Sequence, residues 1–183
     1  MTTRIEITFC AAIIDAFRAN KQLADRAVAQ VPDDKLHLPL DEQTNSIAVI
    51  MKHVSGNLLA RWTDFLTTDG EKPTRNRDAE FIDTFHSRQE VLEYWEQGWS
   101  RLFSELNSLT IEDFSRTVQI RGEPHLVPLA MARSLGHTCY HIGQIVQLAR
   151  HHAADHWTTL TIPRGGSEQF NRDHWGVSGR SHS

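Results

Sequence analysis

His137 and His141 are the residues whose type and spacing point most directly to chemistry. They stand four apart in the run Leu135-Gly136-His137-Thr138-Cys139-Tyr140-His141-Ile142-Gly143-Gln144-Ile145-Val146. In a helix, at about 100° per residue, they lie roughly 40° apart and one turn above the other. Gln144 shares their stripe, while Met131, Leu135, Ile142, Ile145, Val146 and Ala149 fill a neighbouring apolar arc. The pair therefore belongs at the edge of a buried face, where a metal site between helices draws its ligands. With 11 histidines in 183 residues, chance alone supplies about 0.6 such pairs. A third ligand is needed before the spacing means a site.

The remaining histidines divide by context. His152 and His156 repeat the spacing without an apolar arc, and read as solvated residues near a helix C-terminus. His37, between two prolines, and His86 read as surface residues. His53 sits on the edge of an apolar arc made by Ile47, Ile50, Val54, Leu58, Trp62 and Phe65, with Asn57 one turn further along its stripe. A lone histidine there is more often a satisfied boundary residue than a ligand. Cys139 falls about 200° from His137 and reads as a small apolar side chain.

The elements that must position these residues follow from periodicity. A first helix is expected over 5–31, ended by Pro32 and followed by a linker to Pro39. Asn45-Ser46 looks like the cap of a second helix over 47–67. Residues 69–87 read as an exposed, charged connection. A third helix over 88–107 carries Trp95 and Trp99, an aromatic stripe simpler to read as core or interface than as a cofactor box. Residues 115–120 alternate like a strand, 121–124 read as a turn, and 125–127 as the return strand. Pro128 suits the first turn of a fourth helix, carrying the histidine pair to about residue 150. The tail over 157–167 reads as loop, and it lacks the lysine and strand-loop-helix setting of a phosphate loop. The expected fold is all-α: a four-helix bundle, up-down with one long crossover, with a small β-hairpin before the fourth helix. One domain is expected over 1–175, with a flexible tail over 176–183.

Composition narrows the function. The net charge of -4 and the lack of a densely basic window argue against nucleic acid as a partner. No apolar run is long enough to span a membrane and no signal-peptide pattern opens the chain, so a cytoplasmic protein is expected. Two cysteines, Cys10 and Cys139, make no disulfide framework.

Four segments taken together resemble one family: Asn45-Ser46-Ile47-Ala48 followed by His53; the turn Gly122-Glu123-Pro124-His125; His137 to Ile145; and Ile162-Pro163-Arg164-Gly165-Gly166-Ser167. This series is similar to the DinB-like superfamily of metal-binding four-helix bundles, the YfiT/BstA type, and within it to a subgroup of unassigned function. The resemblance covers roughly residues 5 to 172. It implies one histidine on the second helix and two on the fourth holding a divalent metal, here His53, His137 and His141. Three neutral imidazoles without a carboxylate suit Zn²⁺ or Ni²⁺ and leave room for water or substrate. Members of the superfamily include thiol S-transferases and a thiol-dependent isomerase, so the resemblance implies a low-molecular-weight thiol activated at the metal and transferred to a small electrophile. Asn57 and Gln144 share the ligand stripes and are candidates for contacts to cofactor or ligands, and Arg133 for pairing with a thiol's carboxylate. A metal-dependent hydrolase, or a non-catalytic metal-binding stress protein, are the alternatives. His125 is the candidate fourth ligand that would close the site. A homodimer is expected, because the family often pairs and Trp95, Trp99 and the apolar tail offer more aromatic surface than one core needs.

Overall fold

The computed structural model describes residues 2–175, with side chains from 5 to 174; the tail expected over 176–183 lies outside the described residues. Among the described residues there are six α-helices, four of them forming the bundle, three short 3-10 turns and a two-stranded antiparallel hairpin. Helix α1 (Thr2–Val28) is followed by a one-turn helix α2 (Asp33–Leu36), which exists to drop Leu36 into the core. Helix α3 (Ile47–Trp62) starts where Ser46 caps it, its hydroxyl accepting from the Val49 amide at 3.2 Å. Helix α4 (Arg88–Ser108) is capped in the same way by Ser87, which accepts from the Glu90 amide. The hairpin, β1 (Thr117–Ile120) and β2 (Glu123–Leu126), leads into helix α5 (Val127–Ala153), with a proline in its first turn. A last helix, α6 (Ser167–Trp175), follows the loop.

The bundle is built from two helix pairs. Helix α3 packs along α4 and α1 along α5, and the pairs meet where α3 crosses α5 and α1 approaches α4. Phe17, Trp62 and Trp99 form its centre, each fully buried, with Phe17 edge-on to Trp62 at 6.4 Å and to Trp99 at 6.3 Å. Gly98 allows the closest approach of α3 and α4: a Cβ there would lie 2.7 Å from the Ser55 Cα. No helix among the described residues is long and apolar enough to cross a membrane.

The structure departs from the sequence expectations in several places, each with a physical reason. Helix α3 ends at Trp62, not at 67, because Asp64 takes a positive φ of 50°. Phe65 nevertheless returns to the core and packs on Trp62, so the apolar period outlasts the helix. Glu123 and Pro124 belong to β2 and not to the turn, which needs only Arg121 and Gly122, both at positive φ. That is the backbone of a tight two-residue hairpin loop. Trp95 and Trp99 are wholly buried inside the chain, which makes their aromatic stripe core.

The largest correction concerns the crossover between α3 and α4. Much of it is exposed as expected, but residues Asp78–Phe81 form a single 3-10 turn that lies against α3. Glu80 is buried. Lys52 of α3 ties the segment down, donating to the Ile82 carbonyl and the Thr84 hydroxyl, each at 2.8 Å.

Candidate metal centre

His53 lies on the middle of α3 and is buried, while His137 and His141 lie one turn apart on α5 and are half-buried. The crossing of the two helices places one ring nitrogen from each within 4.8 Å of the others, in the one cluster of this kind among the described residues. His53 Nε2 and His137 Nε2 are 3.4 Å apart. Two nitrogens bound to one tetrahedral Zn²⁺ at about 2.05 Å would stand about 3.3 Å apart. The ligand set fits a divalent ion on this spacing and on its three imidazole donors.

The surroundings of the α5 pair favour neutral imidazoles. His137 is pushed down from 6.5 to about 4, first by burial and then by His141, His53, Arg61 and Arg75. His141 is also lowered by burial, against a hydrogen bond to Gln144. Metal binding requires imidazoles without a bound proton, and burial favours that form at His137 and His141.

The outward-facing nitrogens are held as well. His53 Nδ1–H donates to Glu80 Oε2 at 2.8 Å, which presents Nε2 to the cluster. Glu80 is gripped in turn by Arg75, whose Nε donates to Oε1 at 2.7 Å and Nη2 to Oε2 at 2.8 Å. Burial raises the Glu80 carboxyl, but the hydrogen bonds from His53 and Arg75 outweigh it and hold the group below the usual carboxylate range. Phe81, the next residue, stacks on the His53 ring at 4.6 Å. On α5, His141 Nδ1–H donates to Gln144 Oε1 at 2.8 Å.

Beside the cluster lies a cavity of about 220 Å³. His53, Asn57 and His137 line one side of it, and arginines from α3, the crossover, the hairpin and α5 line the rest. A larger groove of about 590 Å³ runs along Lys52, Gly56 and Tyr94, but no histidine of the cluster reaches it. The smaller cavity is the one in contact with the candidate chemistry.

The structure thus brings His53, His137, His141 and Gln144 together, with Asn57 in the adjoining cavity wall. Arg133 also reaches that wall, and its Nη1 donates to His125 Nε2 at 2.9 Å. His125 is therefore not the fourth ligand: its Nε2 is taken by Arg133 and its Nδ1 by the Glu123 carbonyl at 2.9 Å. His152 donates to the Leu38 carbonyl and His37 faces Asp83, and neither joins the cluster. Cys10 and Cys139 are free thiols, each raised by burial.

Sequence reasoning missed Glu80, Arg75 and Arg61. Glu80 and Arg75 sit in a segment with no helical or strand period, so nothing in the local pattern says that they turn inward. Arg61 did leave a signal. His53, Asn57 and Arg61 recur every four residues along α3, a polar ladder beside an apolar face.

Among curated proteins, none matches this chain. A family model described as a protein of unknown function, DUF1572, matches residues 5–166. With that match spanning most of the sequence, the chain belongs to the DUF1572 family.

Proposed function

We propose that this protein is a metal-dependent thiol S-transferase of the DinB-like type, holding Zn²⁺ or Ni²⁺ on His53, His137 and His141. The observation that carries this reading is a three-histidine cluster with no fourth protein ligand among the described residues. Such a set leaves coordination positions for a reactant, as catalytic sites do and structural sites do not. A divalent ion bound there would supply a Lewis acid, lowering the pKa of a low-molecular-weight thiol beside it. Glu80 and Gln144 fix the ring orientations of His53 and His141, and the adjoining cavity receives the electrophile.

Two observations weigh against the alternatives. Metal-assisted hydrolysis wants a carboxylate free to accept a proton. The nearest one, Glu80, is committed to His53 and Arg75 on both oxygens. A structural metal wants a closed sphere, and His125, the candidate to close it, is bonded elsewhere.

Cobalt-substituted protein tests the reading. A panel of small thiols should bring a thiolate-to-metal charge-transfer band in the near ultraviolet, absent from His53→Ala. Turnover with an electrophilic acceptor should then require metal and thiol together. If no thiol perturbs the cobalt spectrum, the transferase reading fails.

A further inference from the structure

The cavity beside the histidines is lined by five arginines, Arg61, Arg75, Arg77, Arg121 and Arg133, drawn from four separate parts of the fold. Their partners are unequal. Arg75 is paired with Glu80 and Glu71, and Arg121 with Glu71 at 3.3 Å. Arg61, Arg77 and Arg133 have no carboxylate partner among the described residues. The third nearby carboxylate, Asp69, is spent on backbone amides, accepting from Glu71 and Arg121 and from Gly122 at 2.7 Å. Three guanidinium groups without a carboxylate partner therefore line one small cavity, Arg133 bonded to the neutral His125 and Arg77 lying over the Phe81 ring at 5.0 Å.

Arg61 is the informative member. The residue is only 8% exposed, and its Nη1 is fully enclosed without a hydrogen-bond partner. Gly70 makes the room: a Cβ there would stand 2.6 Å from that Nη1. A guanidinium is always charged and carries five donors in a planar fork. That enclosed nitrogen is fixed against Gly70, while the rest of the guanidinium lines the cavity with no carboxylate to answer its charge; burying such a group unpaired is costly, and a fold tolerates that where a ligand supplies the missing charge. Burial holds Arg61 below the usual guanidinium range, and Arg133, Arg75 and Arg121 add to the effect while Glu71 opposes it. Every one of these pressures is relieved by an anion.

We infer that the cavity formed by Arg61, Arg77 and Arg133 beside His53 and His137 is an oxyanion-binding subsite, taking the carboxylate or phosphate group of a small anionic substrate. This names the substrate class of the transferase proposed above, and that clause alone rests on that reading. Asn57, in the wall between Arg61 and His53, adds an amide that can donate to the same group. The cavity volume of about 220 Å³ suits a compact anion, not a polymer.

The test is binding to the full chain freed of metal, which keeps direct anion–metal contact out of the measurement. Inorganic phosphate and succinate would be titrated calorimetrically and by thermal shift, with chloride at matched ionic strength as the reference. The expected result is saturable one-to-one binding of at least one of them, with a rise in melting temperature that chloride does not give. The tighter of the two identifies the group. Arg61→Met should weaken binding at least tenfold, and so should the double variant Arg77→Gln/Arg133→Gln, which touches no buried side chain should the first fail to fold. Arg101→Gln, an exposed arginine on α4, should bind as the wild type does. No saturable binding of either probe, or binding that survives both variants, would overturn the assignment. Because no metal or thiol is present, this outcome is separable from failure of the transferase reading.

Discussion

At the scale of single residues, the centre depends on one carboxylate that the sequence pattern did not announce. Glu80 aligns His53 and is itself held by Arg75. Replacing it by Gln keeps the size and one acceptor but removes the charge that supports the His53 Nδ1–H. Metal affinity should drop roughly 10–100-fold, measured by competition with a chromogenic chelator, while circular dichroism stays unchanged. Unchanged affinity would show that Glu80 serves only Arg75. His137 gives a second test, through pH. Its imidazole takes a proton near 6.5 in the unfolded chain and near 4 in the folded one. Between those values the unfolded state binds more protons, so the metal-free protein must lose stability as the pH falls from about 6.5 towards 4. Denaturant midpoints across that window should decline, and the decline should be shallower in His137→Ala.

At the scale of elements, two glycines on facing helices set what the structure tolerates. A methyl group at Gly98 would meet the Ser55 backbone, its carbonyl oxygen 3.1 Å away. Neither helix can yield locally, so Gly98→Ala should destabilise the protein by about 1–3 kcal/mol, seen as a lower urea midpoint. A methyl at Gly56 meets something different, the flexible end of Glu80, with Oε1 at 2.6 Å. Gly56→Ala should lower the midpoint too, since a buried, paired carboxylate must move, and it alone of the two should weaken metal binding as Glu80→Gln does. Unchanged metal affinity in Gly56→Ala, or an equal loss of affinity in Gly98→Ala, would contradict this division. The same elements show what the sequence could reveal. Ser46, Ser87 and Pro128 mark helix starts by local chemistry, and the apolar periods of α3, α4 and α5 mark their buried faces, so the bundle was readable. The crossover was not. Its single 3-10 turn has no period, and Glu80 and Arg75 turn inward for partners 27 and 5 residues away from Glu80. The close of α3 was obscured for the opposite reason, since Phe65 keeps the apolar period going after the helix has stopped.

At the scale of the whole molecule, the histidines straddle the seam between the two helix pairs. His53 belongs to the α3–α4 pair and His137 and His141 to the α1–α5 pair, and few other buried polar contacts cross there. Trp62 Nε1–H donating to the Ser134 hydroxyl at 3.1 Å is one. A metal on all three rings would tie the pairs together, so loading should raise the melting temperature in proportion to affinity and chelation should reverse it. The separation along the chain carries this into kinetics. His53 and His137 are 84 residues apart, so the ligands cannot meet until both pairs have formed and docked. The ion then has nothing to bind in the early, locally contacting stages of folding, where loop closure is still unfavourable. It should leave the refolding rate almost untouched and slow unfolding alone. In stopped-flow experiments the metal would lower one arm of the chevron and leave the other in place. It would act as a late latch that sets how long the folded state lasts, not how quickly it is reached.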